Sequence, residues 1–211
     1  MGWFNEIEES ELINVKKDTE NSGVEQLEDA RYKKFVEKTM QVISQVEEIG
    51  LPKENEQIRL VTMRTFNAAV FLKYISDQYK IDRLILVIYS INAEAAKVVN
   101  DLVDGEKVKS CKILMSNLRN KAHRQKEQIT RDNFVNNKNV DLFFASCHSK
   151  IMAIKTECGN HFVLEGSGNL SFNSRIEQYV LDNDQALFEF TEKWTDEVKT
   201  LLAGKKELVL T

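Results

Sequence analysis

The sequence predicts an α/β fold, a mixed β-sheet with helices on both faces, with a helical extension at its N-terminus. Two observations lead there. From Gln57 onward, short apolar runs alternate with stretches of helical periodicity. The 211 residues are 42% hydrophobic, ample for a sizeable core. The expected organisation is a polar acidic segment over 1–26, an N-terminal helix over 27–52 and an α/β domain over 53–211.

In the first segment, Trp3, Phe4, Ile7, Leu12 and Ile13 are scattered through an acidic background, a composition that suits partial disorder. Between Leu27 and Glu48, Tyr32, Phe35, Val36, Met40, Ile43 and Val46 recur at roughly helical spacing, and Gly50 with Pro52 supplies a stop. A helix docked on the domain is the plain reading, and a partner-binding arm is the functional alternative. Then follow strand Ile58–Met63, helix Phe66–Tyr79, strand Arg83–Tyr89, helix Ala93–Leu102 and strand Cys111–Met115. A polar helix leads to strand Val140–Ala145, a hairpin, a strand through Tyr179–Leu181 and helix Gln185–Leu202.

The hairpin holds the chemistry. Gly159-Asn160 is a dipeptide that favours the positive φ of a two-residue turn. With Cys158 opposite His161, Lys150 opposes Asn169 and Met152 opposes Ser167, and directly opposed residues share a face. Alternation puts His148 on that face too. Gly166 and Gly168 flank Ser167 and leave room for an anion to approach the backbone. An imidazole can attack or donate a proton, while an ammonium and an amide N–H can hold negative charge developing on oxygen. These are the parts of a phosphoryl-transfer site that needs no metal.

His148-Ser149-Lys150 followed by Gly166-Ser167-Gly168-Asn169 resembles the signature of the phospholipase D superfamily, His-x-Lys with a later Gly-Ser/Gly-x-Asn. The resemblance implies a phospholipase D-like sheet and a metal-independent phosphodiesterase without cofactor. Its catalytic residues would be His148, Lys150, Ser167 and Asn169, with Glu177 orienting the histidine. Where the family motif carries Asp, this chain has Lys155, which alternation turns away from the His148 face. The chain carries one copy of a motif that the family's active site uses twice, so the resemblance also implies a homodimer with its two-fold axis near His148.

Charge narrows the substrate. Residues 1–56 hold fourteen acids and seven Lys or Arg, whereas residues 107–131 hold eight bases against Glu127 alone. Connections at strand C-terminal ends are where α/β folds place ligands. Arg119, Lys121, His123 and Arg124 are the expected phosphate-backbone contacts, with an ordinary solvated helix face as the alternative. Asn173 and Arg175 either extend a phosphate clamp or cap a turn, and His123 and His161 read as incidental to catalysis.

No run approaches the roughly 20 apolar residues of a membrane span, and the N-terminus lacks the basic-then-apolar order of a secretory signal. Glu6 fails the myristoylation pattern after Met1-Gly2. No amphipathic basic helix suggests a lipid surface. A cytoplasmic protein is expected, with Cys111, Cys147 and Cys158 as reduced thiols, Cys147 facing away from the His148 surface. The functional expectation is a nuclease acting through a phosphohistidine across a homodimer. The alternative is a non-catalytic phospholipase D-like module that binds nucleic acid or serves as a scaffold. An acidic N-terminal segment masking the basic stretch is a further expectation.

Overall fold

The computed structural model describes residues 32–38, 43–62, 67–117, 128, 132–134, 137–171 and 176–208. Eight strands form one mixed sheet: β1 Tyr32–Lys38, β2 Glu56–Thr62, β3 Ile81–Ile88, β4 Cys111–Ser116, β5 Val140–Ala145, β6 Ile151–Thr156, β7 His161–Gly166 and β8 Glu177–Asn183. Their order is β1-β2-β8-β7-β6-β3-β4-β5. The described helices are α1 Ile43–Ile49, α2 Ala69–Gln78, α3 Ala93–Asp104 and α4 Gln185–Leu208.

Alternation along β3 explains the two layers. Leu84, Leu86 and Ile88 face a large core with Val46 of α1, Phe71, Leu72 and Ile75 of α2, and Ala96 and Val99 of α3. Ile85 and Val87 face the other way, into a smaller cluster with Phe188, Leu187, Trp194 and Val198 of α4. A strand buried on both faces reads as an unbroken apolar run, and Leu84–Ile88 does so with every side chain at most 2% exposed. Burying each such side chain favours folding by about 1.5–3 kcal/mol before the entropy of ordering it is counted.

The expected single helix over 27–52 is not what forms. Tyr32–Lys38 is a strand, parallel to β2, and only Ile43–Ile49 is helical. The helical spacing of Tyr32, Phe35 and Val36 lost to a tertiary opportunity: β2 offered an open edge whose N–H and C=O groups a neighbouring strand could pair. The 1–26 segment lies outside the described residues.

Sheet directions put one set of connections together. β2, β3, β4, β5 and β7 run one way, while β6 and β8 run antiparallel to their neighbours. The C-terminal ends of the first five therefore lie at the same end of the sheet as the starts of β6 and β8. His148, Lys150, Gly166, Ser167, Gly168, Asn169 and Glu177 sit at that end, whereas Lys155 and His161 sit at the other.

The basic stretch is less continuous than it looks in sequence. Lys109 lies at the opposite end and pairs with Asp82 at 3.1 Å. Lys112 points into the interior, 2% exposed, with its ammonium 2.5 Å from Asp196 of α4 and 3.4 Å from Thr195 Oγ1. This pair pins α4 to the sheet. No helix among the described residues is long and apolar enough to cross a membrane. All three cysteines are free thiols.

Removing the anion from a buried ammonium leaves an uncompensated charge. Asp196→Ala should therefore lower stability by about 2 kcal/mol, less than a fully buried pair because Asp196 is half exposed. Urea unfolding of that variant, and of Asp196→Ala with Lys112→Met, measures it; the double variant should recover most of the loss.

Candidate active site

The hairpin register differs from the expected one. Lys155 pairs with His161, Met152 with Leu164 and Ile151 with Glu165, a shift of three residues. The loop is wider than two residues because Thr156 closes it: its Oγ1 accepts from Asn160 N at 2.9 Å, and its carbonyl accepts from Gly159 N at 3.1 Å. Gly159 alone takes the positive φ, 93°. Asn183 holds the loop from β8, accepting from His161 N and donating to Asn160 Oδ1. Lys150 is consequently bonded across to Gly166, whose N–H donates to its carbonyl at 3.3 Å, and neither Asn169 nor Ser167 is its strand partner.

The groups meet for a different reason. β5 and β6 are three places apart in the sheet, about 14 Å at ordinary strand spacing. Ser146–Lys150, without regular structure, crosses the ends of β4 and β3 to join them. His148 thus passes over the end of β3, where Tyr89 stands; the two rings are 4.9 Å apart, edge to face at 62°. Lys150 Nζ lies 5.4 Å from the centre of the same Tyr89 ring. It donates to the His148 carbonyl at 2.6 Å and sits 3.1 Å from His148 Nδ1. An ammonium has only donors to offer, so Nδ1 is the acceptor and a neutral imidazole carries its proton on Nε2.

After β7 the chain turns over the next residue pair. Ser167 N donates to the Gln178 carbonyl at 3.0 Å, and Gln178 N donates back to Ser167 Oγ at 3.1 Å. The Ser167 hydroxyl donates to Oε2 of the buried Glu177. Asn169 Oδ1 accepts from Ser90 N at 3.2 Å. That contact commits the oxygen and leaves the Asn169 NH₂ as the end with donors. The loop is fastened further by a bridge between Ile91 and Leu170 and by Asn92 N donating to the Leu170 carbonyl.

Gly166 and Gly168 are required by close approach. Tyr179, 2% exposed, lies beneath them: a Cβ on Gly166 would meet its ring at 2.5 Å, and one on Gly168 would meet its hydroxyl at 1.9 Å. Lys150, Gly166, Gly168 and Tyr179 line one small hollow floored by Ile88, Met152, Leu164 and Leu170. Partial burial there pulls the Lys150 ammonium below the ordinary lysine value, opposed by Cys147 and Glu177.

His148, Lys150, Gly166, Ser167, Gly168, Asn169 and Glu177 are thus gathered at one end of the sheet. Arg119, Lys121, His123 and Arg124 lie outside the described residues, as do Asn173 and Arg175. Asn117, the last described residue before that basic run, is held at the same end by its N–H to the Ala145 carbonyl, 2.8 Å. Lys155 sits at the far end of β6. His161, also remote, packs 5.4 Å from the Phe188 ring, with its pKa lowered by burial and by Lys155. Cys147 packs with the α4-side cluster. Sequence reasoning missed Tyr89 and Ser90, although their place directly after the most apolar strand was a signal.

No protein-family model and no curated protein sequence matches the chain. Among solved structures, the chain overlays polyphosphate kinase from Porphyromonas gingivalis with a TM-score of 0.55 and 9% identity, over 77% of this chain and 27% of that one. Nuc, a phospholipase D family member from Salmonella typhimurium, overlays with a TM-score of 0.47 and 20% identity, over 67% and 93%. Phosphatidylserine synthase from Haemophilus influenzae Rd KW20 gives 0.43 and 12%, over 68% and 38%. At these identities the likenesses concern the fold alone, the expected α/β arrangement, which this chain shares with the covered part of the polyphosphate kinase.

Gly168→Ala should displace the loop and weaken inorganic phosphate binding by at least tenfold, measured by calorimetry, because the added methyl has nowhere to go above Tyr179. Lys150 should also give phosphate binding an alkaline limb. Its charge is lost as pH rises through its lowered pKa, before an unperturbed lysine near 10.5 would titrate. Lys150→Met should flatten that limb in a pH series of dissociation constants.

Proposed function

We propose that the protein is a metal-independent phosphodiesterase, a nuclease, working as a homodimer that joins two copies of this site. The observation that carries the reading is the gathering of His148, Lys150, Ser167, Asn169 and Glu177 at one end of a phospholipase D-like sheet.

In this mechanism the Nε2 lone pair of one His148 attacks phosphorus, forming a P–N bond as the P–O bond to the leaving group breaks. The partner's His148 donates its Nε2 proton to the departing oxygen. That neutralised imidazole then takes a proton from water, whose oxygen attacks phosphorus and releases the first histidine. The donor is the imidazolium, with protons on both ring nitrogens, so its Nδ1 gives up the acceptor role toward Lys150 that it holds in the neutral form. The attacking histidine needs its proton on Nδ1, and Glu177 is the carboxylate assigned to receive that hydrogen bond. Lys150 and the Asn169 NH₂ hold the nonbridging oxygens, where preorganised donors each contribute on the order of 10²–10³ in rate. Ser167 links Glu177 to the glycine loop through its hydroxyl, which donates to the carboxylate and accepts from Gln178 N.

Nucleic acid is the proposed substrate because bases are concentrated at 119–131, immediately after a strand that ends at the site. A cytoplasmic location and reduced thiols fit that reading. The test is cleavage of single- and double-stranded nucleic acid in EDTA by wild type and His148→Ala. The expected result is cleavage by wild type, lost by at least 10³-fold in the variant, with salt-sensitive binding kept by both. Binding without cleavage by wild type would instead favour the non-catalytic module.

A further inference from the structure

We infer that Tyr89 is a positioning residue of this site, an aromatic wall against which the His148 imidazole and the Lys150 ammonium are both held. Three observations carry it. The Tyr89 ring meets the imidazole edge to face at 4.9 Å, and the ammonium lies 5.4 Å from the centre of the same ring. His148 and Lys150 belong to a connector without regular structure; His148 is exposed to solvent with no strand partner, and Lys150 is tied across only through its carbonyl to Gly166 N. Tyr89 itself stands on rigid ground: it follows the fully buried Ile88, and its neighbour Ser90, 6% exposed, binds Asn169 through its backbone N–H.

The physics favours a ring in this place. An aromatic edge contact and a cation over a ring face are both directional, and both tolerate partial hydration. The two contacts act on groups that already touch each other, since Lys150 Nζ is 3.1 Å from His148 Nδ1. Holding one therefore helps to hold the other. Because Ser90 is joined to the Asn169 side of the site, the Tyr89-Ser90 dipeptide ties the histidine-lysine half to the glycine-loop half. A nucleophile and its charge-stabilising partners must be kept within a fraction of an ångström of the working geometry for the full rate.

The kinetic arm of the test rests on the phosphodiesterase reading; the spectroscopic arm does not. Tyr89→Leu removes the ring and Tyr89→Phe keeps it. Both variants are first checked for a wild-type melting curve, and Tyr89→Met replaces Tyr89→Leu if the latter does not fold. With bis(p-nitrophenyl) phosphate in EDTA, Tyr89→Leu should lose at least tenfold in kcat with KM changed less than about threefold, a split that identifies positioning rather than binding. Tyr89→Phe should restore most of that loss. In NMR spectra, His148 side-chain couplings should report one rotamer in wild type and Tyr89→Phe, and averaged rotamers in Tyr89→Leu.

A wild-type kcat in Tyr89→Leu would overturn the inference, as would Tyr89→Phe falling as far as Tyr89→Leu, since the ring would then not be the active feature. If wild type cleaves nothing, the phosphodiesterase reading fails and the couplings decide alone. A single His148 rotamer surviving in Tyr89→Leu overturns the inference, and averaging confined to that variant upholds it.

Discussion

The site depends on how the chain gets from β5 to β6. β5 is the outermost strand on its side and β6 is three places inward, so Ser146–Lys150 must run across the open ends of β4 and β3. Six Cα steps from Ala145 to Ile151 reach about 20 Å when extended, against about 14 Å of sheet to cross. There is little slack. The connector is drawn over the end of β3, and His148 and Lys150 come to lie against Tyr89. A longer connector could have looped outward and left the imidazole in solvent, with the same motif and no site.

Against that connector is set a loop held from below and from the side. Tyr179 fills the space where side chains at 166 and 168 would stand, so the glycines are a packing requirement. Ser90 takes the oxygen of Asn169 and thereby aims its NH₂ end. Ser167 spends its proton on Glu177, so the serine contributes to this arrangement as a link between the loop and a buried carboxylate. Lys150 carries the positive charge of the hollow in a setting whose partial burial disfavours it, offset by Glu177.

Charge in the rest of the molecule shows why linear density is a poor guide to a surface. Of the eight bases between 107 and 131, Lys112 is interior and fastens α4 through Asp196, while Lys109 is at the end of the sheet remote from His148. Strand alternation decides this for Lys112: its neighbours Cys111 and Ile113 face the larger core, so it must face α4. A lysine is tolerated there because its long stem reaches an aspartate at the helix surface.

Much of the fold could be read from the chain. The buried strand Leu84–Ile88 and the helix begun by Asn92, whose side chain accepts from Ala95 N, announce themselves through local periodicity and capping. So do the residue types of the site, because imidazole, ammonium, amide and paired glycines keep their chemistry wherever they fold. Two things were invisible. Tyr32–Lys38 became a strand because an edge was vacant, and the hairpin slipped by three residues because Thr156, Asn160 and Asn183 bond across the loop. The sequence by itself determined which groups could do chemistry and that strands would carry them. Only the tertiary structure decided that they meet, since this depends on strand order and on the length of one crossing, and neither leaves a local pattern in the chain.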